Sequence, residues 1–300
     1  MIRIGFDVGG TKLAAIAIDE GGIELGRMRR PVPKSYEAIL AAMLEVTAAF
    51  ETARGKAASI GIGLPGIISR DGVPLRVANL PWLEHHPLAH DLEAASGRPT
   101  AIANDANCFA LSEATDGAAC GGAIVFGAVL GTGVGGGIVI DRRPLLGAHG
   151  IAGEWGHSAL SFPNVEVPWA PVRCGCGRIG CIETWLNGEA LVRDFQASAG
   201  RRAGADEIGA LVAAGDPTAL AAMTHYVRRL ARALAGVVNL LDPDVIVLGG
   251  GLSAIAALYE RTPELWRDSI VAPEPMTRLV PAHFGAESGL RGAAWLGVGA

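Results

Sequence analysis

Cys174, Cys176 and Cys181 crowd into one Gly-rich segment with the spacings Cys-x-Cys and Cys-x4-Cys. Three thiolates this close suit a metal site better than a disulfide framework, and the chain's 5 cysteines are an odd number. Redox-active or merely buried thiols are the alternative; Cys108 and Cys120 are expected to be buried. Glycine offers a second chemistry. In Phe6-Asp7-Val8-Gly9-Gly10-Thr11-Lys12, two glycines stand where a strand turns back, so backbone N–H groups can approach phosphate oxygens while Thr11 and Lys12 add donors. Any β-hairpin tolerates a Gly-Gly tip without a ligand. Two further loops, Gly131-Thr132-Gly133 and Gly249-Gly250-Gly251, also follow apolar strands, and three such loops together favour phosphate. None is a Walker A loop, because no Gly-Lys-Ser/Thr follows a four-residue spacer, and the first opens a strand where a Rossmann fingerprint opens a helix. A carboxylate completes the set. Asp105, in Asn104-Asp105-Ala106-Asn107, follows the predicted strand Thr100 to Ala103, at the strand end where ligands of open α/β sheets sit. It is either a functional group or the N-cap of a helix beginning near Ala106.

These residues need elements to carry them. Ile2, Ile4, Phe6 and Val8 alternate with other residues, and Leu13 to Ile18 reads as a return strand closing at Asp19-Glu20-Gly21-Gly22. The layout returns later in the chain: strand Ala123 to Leu130, loop Gly131 to Gly133, strand Gly137 to Ile140, with Ile16-Ala17-Ile18-Asp19 matching Ile138-Val139-Ile140-Asp141. A repeat this long is a domain duplication, since solenoid periods run about 20–50 residues. Between the hairpins the pattern predicts a helix around Tyr36 to Ala53, a strand Ala58 to Leu64 and a helix from about Ala106 to Thr115. Asp216-Pro217 opens a long amphipathic helix with apolar positions at Leu220, Met223, Val227, Leu230, Leu234 and Val238; Asp242-Pro243 ends it, and Asp244 to Leu248 is a buried strand.

Composition limits what such elements can build. A chain of 300 residues exceeds the size at which one core stops growing, about 250–300 residues, so two domains are expected. Half the residues are hydrophobic but only 5% aromatic, and 42 are Gly, which suits an α/β protein with many tight junctions. A formal net charge of -5 leaves no basic footprint for nucleic acid. No run approaches about 18 uninterrupted apolar residues, and Met1 leads directly into a strand, so no membrane partner and a cytoplasmic location are expected.

Asp7-Val8-Gly9-Gly10-Thr11-Lys12, Leu130-Gly131-Thr132-Gly133-Val134-Gly135-Gly136-Gly137, Gly153-Glu154-Trp155-Gly156-His157 and Cys174-Gly175-Cys176-Gly177-Arg178-Ile179-Gly180-Cys181-Ile182-Glu183 together resemble the ROK family (repressor, open reading frame, kinase), in order from residue 2 to about Trp295. The resemblance implies a duplicated pair of actin-like, hexokinase-like (ribonuclease H-like) α/β lobes closing over ATP and sugar. The lobes are expected at 1–117 and 118–287, with a C-terminal helix at about 288–300 returning to the first. It further implies phosphates against Gly9 to Lys12 and Gly131 to Gly133, and adenosine against Gly249 to Gly251. Asp105 matches the family's general base and Asn104 its sugar-binding neighbour, which favours function over capping. Glu154, His157 and Glu183 match its hydroxyl-binding residues, with Asn79 and the Gly66 backbone as further candidates. Carboxylates suit polyols, each accepting two or more O–H bonds; for Glu154 a solvated surface charge is the alternative. Asp7 is a candidate for organising Mg²⁺ through water; its counterpart in the second hairpin is Val129. His157 would complete Cys174, Cys176 and Cys181 as a closed tetrahedral set for structural Zn²⁺, one imidazole nitrogen on the metal and the other facing sugar.

The expected activity is therefore transfer of the γ-phosphoryl group of ATP to the 6-hydroxyl of a hexose. Trp82 in Asn79-Leu80-Pro81-Trp82, Trp155 and Gly292-Ala293-Ala294-Trp295-Leu296 look closer to fructokinases or mannokinases, making fructose the first expectation, with mannose or glucose beside it. Asn104 to Ala114 and Arg173 to Glu183 look as much like N-acetylglucosamine kinases, the alternative. A sugar-sensing repressor of the same family would need a DNA-binding extension ahead of the first hairpin, which begins at Ile2. A homodimer is common in the family and is expected here.

Overall fold

The computed structural model describes residues 1–160 and 169–297, and the chain divides into two compact units. The first comprises Met1–Gly121, Gly137–Gly153 and the segment from Ala286 onward; the second comprises Gly122–Gly136 and Glu154–Gly285.

In the first unit, β1 (Ile2–Val8), β2 (Lys12–Ile18) and β3 (Glu24–Pro31) form an antiparallel meander, and β4 (Ala57–Leu64) and β7 (Thr100–Asn104) join it in parallel, giving the order β3-β2-β1-β4-β7. A small antiparallel pair, β5 (Gly66–Ile68) and β6 (Pro74–Val77), follows β4. Parallel strands need crossovers, which α1 (Tyr36–Arg54) and α2 (Leu88–Ser96) provide. Ser35 caps α1 by accepting from Ala38 N, and Ile39, Met43, Val46 and Phe50 recur at helical spacing on its buried face. Helix α3 (Asp105–Thr115) begins one residue before the predicted start, because the Asn104 side chain accepts from Ala106 N and takes the cap position.

The second sheet has the order β10-β9-β8-β11-β12, built from β8 (Ile124–Leu130), β9 (Val134–Ile140), β10 (Arg143–Pro144), β11 (Val245–Gly249) and β12 (Arg278–Pro281), with β11 parallel to both β8 and β12. Its order repeats that of the first sheet strand for strand, as the duplicated hairpins predict. Helices α4 (Glu183–Leu186), α5 (Gly188–Ala199), α6 (Ala205–Ala213), α7 (Pro217–Leu241) and α8 (Ala257–Leu265) belong to the second unit. The ends of α7 fall where Asp216-Pro217 and Asp242-Pro243 place them: Asp216 accepts from Thr218 N and Ala219 N, and Asp242 turns left-handed at φ 49°. Leu220, expected on the apolar stripe of that helix, is 38% exposed. Cys108 is buried as expected; Cys120 is exposed, in a turn beyond α3.

The last helix, α9 (Ser288–Trp295), packs on α3, β1 and β4 in the first unit. Residues 298–300 of the predicted terminal helix lie outside the described residues. The approach is close enough to require glycine: a Cβ on Gly292 would lie 1.7 Å from the Cys108 carbonyl oxygen. Gly292→Ala should therefore force α9 and α3 apart and lower stability by about 1–3 kcal/mol, the usual range for overpacking. Denaturant unfolding checks this, and a midpoint equal to wild type would show that the helices can separate at no cost. No described helix is long and apolar enough to cross a membrane.

Candidate functional site

Three neighbouring parallel strands of the first unit, β1, β4 and β7, present their carboxyl ends together, with Asp7 opposite Gly63 and Leu64 opposite Asn104. At the first end the hairpin is closed by Gly9 N–H donating to the Lys12 carbonyl at 3.0 Å. Gly10, Thr11 and Lys12 are exposed at the tip. Asn79, at φ 64°, lies against the same tip: a Cβ on Gly10 would meet the Asn79 Cβ at 2.8 Å. Asp7 is mostly buried at the end of β1, and burial pushes its carboxyl up while the Lys12 ammonium pulls it down. At the other end, Asn104 Nδ2 donates to the Gly66 carbonyl at 2.9 Å while its Oδ1 caps α3. Asp105 is the first helical residue, exposed, with Oδ1 2.8 Å from Ala106 N. The first unit thus gathers Asp7, the first glycine loop, Asn79, Gly66, Asn104 and Asp105 along one sheet edge and the loops beyond it.

In the second unit the other two glycine loops lie side by side. Gly131 N–H donates to Gly133 O at 3.0 Å, a closure one residue tighter than that of the first loop. Gly249 pairs with Val129 across the β11–β8 ladder, and Gly250, at φ 82°, comes so near that a Cβ there would lie 2.3 Å from the Leu130 carbonyl. The third loop differs from the others in leading into a 3-10 turn, Gly251–Ala254, not a return strand. Beside it opens a cavity of about 650 Å³ whose lining includes Asp206, Gly209, Leu220, Gly251, Ala254 and Glu260. Its small-residue walls carry no motif spacing, so only Gly251 could be singled out from sequence.

The turn Trp155–His157 is pinned by its buried indole, which donates from Nε1 to the Gly135 carbonyl at 2.8 Å and meets Phe126 edge-on at 5.5 Å. The turn places Glu154 Oε2 3.8 Å from His157 Nε2. Burial raises the Glu154 carboxyl above the usual range, His157 acting against that rise and Glu183 adding to it. The other ring nitrogen, Nδ1, lies 3.4 Å from Cys174 Sγ.

Ligand atoms of His157, Cys174, Cys176 and Cys181 all lie within 4.8 Å of one another, with Cys176 and Cys181 sulfurs 3.6 Å apart. A tetrahedron with metal–sulfur bonds of about 2.3 Å has sulfur–sulfur edges of about 3.8 Å, so the four atoms fit a zinc ion. The loop is preformed by Cys174 N–H to Arg178 O at 2.8 Å and Gly177 N–H to Cys174 O at 2.9 Å. Hydrogen bonds from Arg178 bring the Cys176 thiol down to about 6, whereas burial pushes the Cys174 thiol up to about 12; a bound metal would deprotonate both. Glu183, at the start of α4, accepts from Cys174 Sγ at 3.2 Å through Oε1 and from Val134 N at 3.2 Å through Oε2. It therefore ties the thiol cluster to the second glycine loop, a connection that spacing alone did not disclose.

Comparison with known proteins matches residues 3–299 to the ROK family. The chain is 39% identical over 298 residues to an Escherichia coli N-acetyl-D-glucosamine kinase, covering 97% of this chain and 98% of that protein. It superposes on the crystal structure of a ROK hexokinase from Thermus thermophilus with a TM-score of 0.83 and 37% identity, covering 99% of this chain and 97% of the other. A ROK family glucokinase from Streptomyces griseus, in complex with glucose and AMPPNP, gives a TM-score of 0.76 and 30% identity, with 98% of each chain covered.

Proposed function

Because the chain belongs to the ROK family and is an ATP-dependent sugar kinase, we propose that its acceptor is N-acetyl-D-glucosamine, phosphorylated at the 6-hydroxyl. The observation that carries this reading is the identity with the Escherichia coli N-acetyl-D-glucosamine kinase along nearly the whole of both chains. It moves the preference from fructose, the first expectation, to the alternative. An unmodified hexose such as glucose is the second reading, favoured by the hexokinase and glucokinase relatives.

In this proposal Asp105 accepts the proton of the attacking hydroxyl, whose oxygen bonds to the γ-phosphorus as the bond to the ADP oxygen breaks. Asn104, Glu154, His157 and Glu183 hold the other hydroxyls, with Asn79 and the Gly66 backbone as further contacts. Gly9 to Lys12 and Gly131 to Gly133 cradle the phosphates, and Gly249 to Gly251 the adenosine side. Mg²⁺ supplies charge neutralisation on the phosphates, and Asp7 is the carboxylate that would hold its water shell. His157, Cys174, Cys176 and Cys181 would hold Zn²⁺ with no open position, so the metal stiffens the loop and does not activate water.

ADP release measured across N-acetylglucosamine, N-acetylmannosamine, glucose, mannose and fructose tests the acceptor. A site that pairs its buried polar groups with the acetamide should prefer N-acetylglucosamine over glucose by roughly tenfold or more in kcat/KM. Equal or higher kcat/KM with glucose or fructose would reject this acceptor and leave the kinase activity standing.

A further inference from the structure

We propose that Tyr226, Arg229 and Arg193 are positioning residues that fix Glu183 by clamping the carbonyl end of α4. The proposal rests on Glu183 as an acceptor of sugar hydroxyls.

Helix α4 has 4 residues. A helix this short is unstable alone, and none of its carbonyls finds a partner inside it. Each is nevertheless bonded. The Glu183 carbonyl accepts from Asn187 N at 3.0 Å. The Thr184 carbonyl accepts from Arg193 Nη2 at 2.9 Å, the Trp185 carbonyl from Arg229 Nε at 3.2 Å, and the Leu186 carbonyl from Tyr226 OH at 2.6 Å. Three successive carbonyls thus end on three side chains, from α5 and α7. Tyr226 and Arg229 are three apart on α7, hence on one face, within a stripe otherwise apolar at Met223, Val227 and Leu230.

Arg229 is fully buried, an expensive placement for a guanidinium. Asp194 on α5, also fully buried, neutralises it through both carboxylate oxygens and accepts from Trp169 Nε1 at 2.9 Å. Trp169 in turn stacks on Trp185 at 4.7 Å and lies under the Arg193 guanidinium at 4.2 Å. Buried ion pairs contribute little net stability compared with apolar residues of the same volume, so this one calls for a positional role. The Arg229 donor left over from the pair, Nε, points at α4. At its other end α4 is joined through Ile182, whose N–H donates to Ser158 O at 2.8 Å, to Cys181 of the thiol cluster. Glu183 therefore stands on a one-turn platform held at both ends, and its Cα, from which the carboxylate reaches out, can shift only if one end lets go.

Tyr226→Phe removes one donor at constant shape, and Arg229→Lys keeps the charge opposite Asp194 but cannot serve that carboxylate and the Trp185 carbonyl together. Sugar KM and sugar Kd by calorimetry should rise about 3–10-fold in Tyr226→Phe and more in Arg229→Lys, since sub-ångström misplacement of a binding group is costly. The KM for ATP should rise clearly less than that for sugar, because α4 touches the second glycine loop only through the Glu183 carboxylate and, just beyond its end, Gly188 N–H. Arg193→Met, at a half-buried position, tests the third donor should Arg229→Lys fail to fold. Sugar KM unchanged in Tyr226→Phe and Arg193→Met, or sugar and ATP KM rising by the same factor with a lowered melting point, would overturn the clamp and leave a structural role. Glu183→Gln separates the two levels. If it raises sugar KM and the clamp variants do not, only the clamp falls; if it leaves sugar KM unchanged, the acceptor role of Glu183 falls and the clamp with it.

Discussion

Asp105→Asn should lower kcat by roughly 10²–10⁴ while sugar affinity changes much less, the pattern of an interaction made mainly in the transition state. Two features support this expectation. Asp105 stands at the carboxyl end of β7, exposed, on the same sheet edge as Asp7 and the first glycine loop. The N-cap position of α3, the competing use for its carboxylate, is filled by Asn104. The isosteric amide keeps an oxygen for Ala106 N, so stability should change by no more than about 1 kcal/mol. Steady-state kinetics with the best sugar and calorimetric binding of that sugar decide the matter. A kcat within about threefold of wild type would remove Asp105 as the base, being far below the effect of losing one.

Cys176→Ser should abolish stoichiometric zinc and lower stability by several kcal/mol, because assembling a structural metal site contributes directly to folding free energy. Cys176 discriminates well because its side chain is exposed, so exchanging sulfur for oxygen disturbs no core packing. Any loss of stability then reports the metal. The same substitution at buried Cys174 would mix the two effects by changing buried packing as well. Elemental analysis of the wild type should give about one zinc per chain, consistent with one closed tetrahedral set. A fully active wild-type protein without zinc would refute the assignment.

The duplicated hairpins were legible because alternation and glycine punctuation recur in both, and the two sheets share one order. The third strand of the first meander was not: Arg27, Arg29 and Arg30 in β3 give it an exposed, polar pattern, and it is recognised only by its ladder to β2 and by ion pairs such as Arg29 to Glu287. Short segments such as β5, β6 and β12 carry too few residues to show a period. Of the site, the glycine loops and the Cys-rich segment could be read because their chemistry depends on local spacing. The thiol cluster that the segment implied is assembled, His157 included. The ties from Glu183 to Val134 and from Arg229 to Asp194 span long stretches of chain, and no local pattern encodes them. One trace of the second was visible: an Arg on the apolar stripe of an amphipathic helix is a buried charge waiting for a partner.

The first unit is assembled from three separate stretches, and α9, which packs on α3, β1 and β4, belongs to the last of them. A ribosome releases residues in order, so the strands of this unit emerge long before the helix that covers them. Until then the sheet face at Gly5, Gly61 and Gly63 that receives Ala293 and Ala294 lies open, together with Ala103 and Cys108, which pack against Ala293. Nascent chains halted before Ala286 should therefore bind holdase chaperones and be readily proteolysed in their N-terminal half, whereas the released full-length chain should not.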